Sequence, residues 1–352
     1  MKDFLIVGLG FSGIAFSWEL EKRNISYAVV DPGSNNSASQ ISGGLINPIA
    51  GRKYQLQWNI SEISEIIKTE YTAIAEKFNM NFITERRLLK IHKSEPAMKE
   101  WLLVKNKERI AAYRDPDFSA QSLARFIDYR FGYLLIKPVF QINTELLIST
   151  YTNFLTSDNK LFREKINYAD IKIKSDYFEW KSNQFKYLVF CEGADALQNP
   201  FFNMIQFKPA KGERMIIKIP NFKTDLVLQK NILVIPLAND LYWAGATNTW
   251  NDLSAAPTID GKNELETGLK DLFKIPYEIV QHEGAIRPTI KDRVPVVGKH
   301  PSIKNMFVLN GMGTKGASLS NYYARQLVEN ILNGKEINKE ANINRFYNSR
   351  KD

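Results

Sequence analysis

The chain has 352 residues and a formal net charge of +9, with 44% hydrophobic and 24% charged residues. This excludes a disordered or fibrous chain and fits a globular protein of about two domains. The single cysteine, Cys191, excludes an intramolecular disulfide and points to a reducing compartment. His92, His282 and His300 are too far apart in sequence to suggest a metal site. No apolar run approaches the roughly 20 residues that span a bilayer, and Asp3, the ordered glycines and Glu19 distinguish the N-terminus from a signal peptide. The expected location is cytoplasmic. The lysines are dispersed, as on a solvated surface; their field would attract an anionic substrate, and a nucleic-acid partner stays open.

The chain opens on an apolar strand, 4–7, followed by Gly8-Leu9-Gly10-Phe11-Ser12-Gly13 and a helical segment, 14–22. A second apolar strand, 27–30, ends in Asp31. This order is the dinucleotide-binding fingerprint. Gly8 permits the tight turn, Gly10 lets backbone approach a diphosphate, and Gly13 lets the helix pack close to the strand. The helix N-terminus offers N–H groups to phosphate, and Asp31 is placed to accept from a ribose hydroxyl. A small-residue stretch follows, Pro32-Gly33-Ser34-Asn35-Asn36-Ser37-Ala38-Ser39-Gln40, then Gly43-Gly44-Leu45 and Gly51-Arg52. It lies past the second strand, at the edge of the sheet where ligands bind.

An amphipathic helix is expected over 60–79, a strand over 82–92 and a helix over 95–112. A strand over 131–136 is stopped by Pro138, and Asn143 caps a helix to about Phe154. Short strands are expected over 161–166, 171–174 and 177–180. A buried strand, 185–190, ends in Cys191-Glu192-Gly193-Ala194, as a return to the nucleotide domain would. Strands over 215–219, 225–228, 232–236 and 241–246 suggest an antiparallel sheet, and 261–273 reads as helix. Near the end stand Glu283-Gly284-Ala285-Ile286-Arg287-Pro288-Thr289 and Asp292-Arg293-Val294-Pro295-Val296-Val297-Gly298. A strand, 306–309, then leads through Asn310-Gly311-Met312-Gly313-Thr314-Lys315-Gly316 into a helix over 317–332.

The fingerprint, the Arg287 segment and the last glycine turn together resemble the FAD-dependent oxidoreductases of the D-amino acid oxidase family, which includes glycine and sarcosine oxidases and the oxidoreductase half of a bacterial tRNA-modifying protein. The resemblance covers nearly the whole chain, although 53–180 matches only in texture. It implies an α/β fold: a Rossmann-type FAD-binding domain (1–80, 140–202 and 284–352) interleaved with a smaller α+β substrate domain with a mixed or antiparallel sheet (81–139 and 203–283). It implies FAD contacts from Gly8, Phe11 and Ser12 at the diphosphate and from Asp31 and Pro32 at the ribose. Ser39, Gly43, Gly44 and Leu45 would lie along diphosphate and flavin, and Ile166 would offer its backbone to adenine. Met312, Gly313, Thr314, Lys315, Gly316 and Ala317 would lie under the flavin's pyrimidine edge, where a helix N-terminus stabilises negative charge and Lys315 could add a full positive charge.

Arg287 matches the family's carboxylate-binding arginine; the alternative is a structural ion pair with Asp292 or Glu283. The acid at the second strand is more often glutamate in the family than the Asp31 found here. Thr314-Lys315 stands where several members carry arginine, so no single member's specificity transfers. No histidine or cysteine stands at the family's covalent flavin positions, which implies non-covalent FAD, and Cys191 reads as a small buried hydrophobe. The implied reaction is oxidation of a C–N bond by hydride transfer to flavin N5, with oxygen or another acceptor reoxidising the flavin. The alternatives are a flavoenzyme acting on a modified tRNA base, a nicotinamide-dependent dehydrogenase, and a protein that only holds FAD.

Overall fold

The computed structural model describes residues 1–33, 36–51 and 53–348; Ser34, Asn35 and Arg52 of the small-residue stretch lie outside the described residues. The chain runs β1 (Lys2–Val7), α1 (Phe11–Glu21), β2 (Tyr27–Val30), β3 (Leu45–Ile46), β4 (Ile49–Ala50), β5 (Gln55–Leu56), α2 (Ile60–Phe78), β6 (Ile83–Ile91), α3 (Glu95–Val104) and α4 (Glu108–Ala111). It continues through β7 (Arg114–Asp115), β8 (Tyr133–Ile142), α5 (Thr144–Ser157), β9 (Leu161–Phe162), β10 (Lys172–Ile173), β11 (Phe178–Trp180) and β12 (Asn183–Phe190). The remainder is β13 (Ala210–Lys218), β14 (Val227–Gln229), β15 (Leu233–Pro236), β16 (Leu241–Gly245), α6 (Ile259–Leu272), β17 (Glu278–Arg287), β18 (Val296–Lys299), β19 (Met306–Asn310), α7 (Gly316–Asn333) and α8 (Arg345–Asn348).

Two large sheets organise these elements. In the first, β1 lies between parallel β2 and β12, with β9 beyond β2 and β19 beyond β12. These strands are apolar on both faces because both are covered, one by helices and the other by β11 and by residues of connecting segments such as Ile166, Phe202 and Ile290. Phe4 and Ile6 of β1 pack with α1, α2 and α7, whereas Leu5 and Val7 pack on the opposite face with Phe185, Phe190 and Phe202. The second sheet runs β17-β13-β16-β15-β14-β6-β8-β3. Its β13, β14, β15 and β16 pair antiparallel as expected, β17 adds an antiparallel edge beyond β13, and β14 joins β6 in parallel, so the sheet is mixed.

The strand expected over 161–166 is only β9, and sequence and structure differ at three further places. β8 continues through Pro138 to Ile142. The β6 partners jump from Val139 opposite Arg86 to Ile136 opposite Leu88, and this irregularity accommodates a residue that cannot donate to the ladder. The single helix expected over 95–112 breaks into α3 and α4 around the Val104-Lys105-Asn106-Lys107 turn, where Lys107 N donates to Val104 O. The Arg287 segment is the end of a ten-residue strand, β17, that forms the sheet's edge.

Candidate active site

A cavity of about 820 Å³ runs between the two sheets. At one end lies the glycine turn. Gly8 has φ +99°, which favours glycine, and a Cβ there would stand 2.5 Å from Cys191 O. A Cβ on Gly13 would stand 1.9 Å from Gly8 O, so the helix contacts the turn directly. Among the described residues no side chain caps α1. Phe11 N donates to Ser39 Oγ (3.1 Å), which holds the small-residue stretch against the turn. Asp31 accepts from Leu9 N and from Gly33 N, both at 2.7 Å, one on each carboxylate oxygen. Each oxygen keeps a second lone pair for a ligand hydroxyl.

Of the expected cofactor contacts, Gly8, Gly10, Phe11, Ser12, Asp31, Pro32, Ser39, Gly43, Gly44, Leu45, Ile166, Met312, Gly313, Thr314, Gly316 and Ala317 all line this one cavity. Gly13 stands behind the turn. Lys315 is exposed, takes the N-cap position of α7 and is not among the lining residues. Among the described residues α7 also lacks a side-chain cap, and the N-termini of α1 and α7 reach the same space. A Cβ on Gly316 would stand 2.9 Å from Phe11 Cδ2, a contact that seats one turn on the other. Glycines that admit no side chain, two uncapped helix ends and an acid at the strand end fit a dinucleotide.

At the other end lies Arg287. Its Nη1 donates to Thr247 O (3.0 Å), Asn248 Oδ1 (3.1 Å) and Lys211 O (3.4 Å). Burial lowers its pKa, and among the described residues no carboxylate offsets this. The two acids considered as structural partners are engaged elsewhere: Asp292 with Arg345 (2.9 Å) and Glu283 with Arg214 (2.5 Å). The guanidinium lies over Gly212 of β13.

Strand alternation puts Gly212 and Arg214 on the cavity side and Lys211 and Glu213 behind. Lys211 is 1% exposed; its Nζ bonds Asp252 (2.5 Å) and Ala256 O. Glu213 accepts from Thr258 N (3.0 Å) and Thr258 Oγ1 (2.7 Å) and pairs with His282 Nε2 (2.8 Å). Together they fasten to the back of β13 the segment 247–258, whose first residues hold Arg287. Arg214, Gln229 and Trp243 also line the cavity, and sequence reasoning did not single them out. Trp243 Nε1 donates to Ile41 O (2.9 Å), which joins the second sheet to the glycine-rich stretch.

The chain matches the model of the family described as FAD dependent oxidoreductase over residues 3–330 and belongs to that family. Among solved structures it resembles glycine oxidase from Geobacillus kaustophilus (TM-score 0.79, 20% identity, covering 96% of this chain and 95% of that one). It also resembles iminodiacetate oxidase from Chelativorans sp. BNC1 (0.76, 14%, 95% and 96%). A third similar structure is dithionite-reduced L-alpha-glycerophosphate oxidase from Mycoplasma pneumoniae with FAD bound (0.70, 15%, 97% and 98%). The protein is thus an FAD-dependent oxidoreductase with the D-amino acid oxidase-type fold, which sets aside the nicotinamide and purely binding alternatives. Among the described residues, no helix is long and apolar enough to cross a membrane.

Proposed function

We propose that the protein oxidises the C–N bond of a small amine or amino acid whose carboxylate docks on Arg287. The observation that carries this reading is a half-buried guanidinium with three oxygen acceptors on one nitrogen, no carboxylate partner among the described residues, and a place in the same cavity as the glycine turn. A carboxylate takes two parallel hydrogen bonds from such a group, which orients the adjoining C–H. FAD, when bound, supplies the hydride acceptor at flavin N5.

The glycine turn, Asp31, Pro32, Ser39 and Ile166 would hold its adenosine and diphosphate; Gly43, Gly44, Leu45 and 312–317 would hold the flavin, without a covalent bond. The N-terminus of α7 would stabilise negative charge there, and Trp243 would help exclude water. The acids lining the cavity, Asp31, Glu192 and Asp195, belong to the dinucleotide end, so the amine enters neutral rather than deprotonated by one of them.

In this reading 1–80, 140–202 and 284–352 form the FAD-binding domain and 81–139 with 203–283 the substrate domain, with β8 and β17 running across both. The lone buried Cys191 supports a cytoplasmic setting. Anaerobic addition of amines and amino acids to the purified flavoprotein tests the reaction. A carboxylate-bearing amine should bleach the flavin band at roughly 450 nm; a panel in which none does so would overturn the proposal.

A further inference from the structure

The second sheet crosses the substrate end of the cavity as one transverse row. Gln229 pairs with Leu233, Leu233 with Gly245, Gly245 with Arg214, and Arg214 with Glu283. Opposed residues of neighbouring strands share a face, and Gln229, Leu233, Gly245 and Arg214 all line the cavity. The Trp243 ring leans over Gly245, where a Cβ would stand 2.8 Å from Cη2, and gives the row an apolar, planar floor.

Glu283 Oε2 of this row has only its ion pair with Arg214, and two further polar atoms are left over. Arg214 Nε, a donor, and Gln229 Oε1, an acceptor, are buried and have no hydrogen-bond partner among the described residues. Buried polar groups are otherwise paired in folded chains, so each such atom needs an explanation. Their backbones stand three strand spacings apart, about 14 Å, and both side chains are long enough to lean over the Trp243 floor between them. Arg287 lies over Gly212, two residues from Arg214 along the same face, or about 7 Å.

We propose that Arg214 and Gln229 form a second subsite that selects substrates bearing a carboxamide, whose oxygen accepts from Arg214 and whose N–H donates to Gln229. Charge distinguishes this from a second carboxylate. Glu283 stands 2.5 Å from Arg214 and already neutralises it, and Glu145 adds to the negative field there. A further anion would be repelled, and an alkyl tail would leave both polar atoms unpaired. The inference rests on the carboxylate position at Arg287. It is therefore tested with ligands that carry no amine and report binding independently of the reaction.

The test is calorimetric titration of the FAD-loaded full chain with glutaramate, with 5-methylhexanoate (an isopropyl group in place of the carboxamide) and with glutarate. Glutaramate should bind at least about tenfold more tightly than either, the effect of one or more hydrogen bonds made in place of buried groups left unpaired. In Gln229→Leu that preference should fall to about twofold or less. Arg214→Leu should do the same; if it fails to retain FAD, Gln229→Leu alone carries the test. Glutaramate that does not bind, that binds no better than 5-methylhexanoate, or that keeps its preference in Gln229→Leu overturns the subsite. So does tighter binding of glutarate, the mark of a second anion site. Failure of the amine chemistry would show separately, as flavin left oxidised by every amine offered.

Discussion

Arg287 rests on Gly212: a Cβ on residue 212 would stand 1.9 Å from Nη2 and 2.1 Å from Cζ. The two residues sit on paired neighbouring strands, with Arg287 opposite Ala210, so the arginine leans along the sheet to cover the glycine. Gly212→Ala must therefore push the guanidinium away from its acceptors without removing it. KM for carboxylate substrates should rise about tenfold or more while FAD stays bound, an overpacking cost of about 1–3 kcal/mol. Steady-state kinetics at matched flavin content checks this.

At the opposite end, Gly13→Ala would place a Cβ 1.9 Å from Gly8 O. Backbone must shift, and both the turn and the α1 N-terminus move. Purified Gly13→Ala should carry much less FAD per chain than the parent and lose about 1–3 kcal/mol of stability. The flavin-to-protein absorbance ratio and a denaturation midpoint report the two effects.

Lys211→Met would leave Glu213 buried without its neighbouring cation and would free Asp252 and the 247–258 segment. Removing one member of a buried ionic network costs about 3–5 kcal/mol. Because Thr247 and Asn248 hold Arg287, KM should rise as well as stability fall. Urea denaturation together with KM measurement checks both, and a stability loss with unchanged KM would show that Arg287 does not depend on this segment.

Burial pushes the Glu192 carboxyl up to about 7, against hydrogen bonds from Asn199 and Tyr168 that favour its charged form. Its pKa is higher folded than unfolded, so the folded chain binds the extra proton. Stability should then fall as pH rises from about 4.5 to about 7, by at most about 3 kcal/mol. Glu192→Gln should flatten that slope in thermal denaturation of the FAD-free protein between pH 5 and pH 8.

His92 behaves in the opposite way. Burial and the nearby Lys90 pull it down to about 4, and its Nδ1 lies 2.7 Å from Tyr54 Oη. The folded chain holds the neutral ring, so this contribution is present above about 6.5 and is lost as pH falls towards 4, by up to about 3 kcal/mol. His92→Gln should remove that acid-dependent loss from denaturation curves recorded between pH 7 and pH 4.5.

The dinucleotide end is legible in the sequence because its constraints are local: glycines at fixed offsets, two apolar strands and Asp31 fall within the first 31 residues. Most helices and strands follow from periodicity for the same reason. The substrate end is not local. Arg214 was hidden because β13 begins Ala-Lys-Gly-Glu-Arg, a run that lacks apolar alternation: Gly212 and Arg214 serve the cavity, while Lys211 and Glu213 are buried in an ionic network behind. Gln229 and Trp243 join the site only through sheet register. Pro138 gives a stop signal in the sequence because the strand that tolerates the extra residue of β8, β6, lies about fifty residues earlier and its register is not local.

The central claim is that Arg287 holds a substrate carboxylate. Anaerobic flavin reduction tests it most directly, by comparing the parent protein with Arg287→Ala on a carboxylate-bearing amine and on the same amine without its carboxylate. The account predicts that the apparent second-order rate of reduction falls by about a hundredfold or more for the carboxylate, as expected for loss of a bidentate charged pair. It predicts little change for the decarboxylated amine. Equal reduction of the carboxylate by both proteins would contradict the claim.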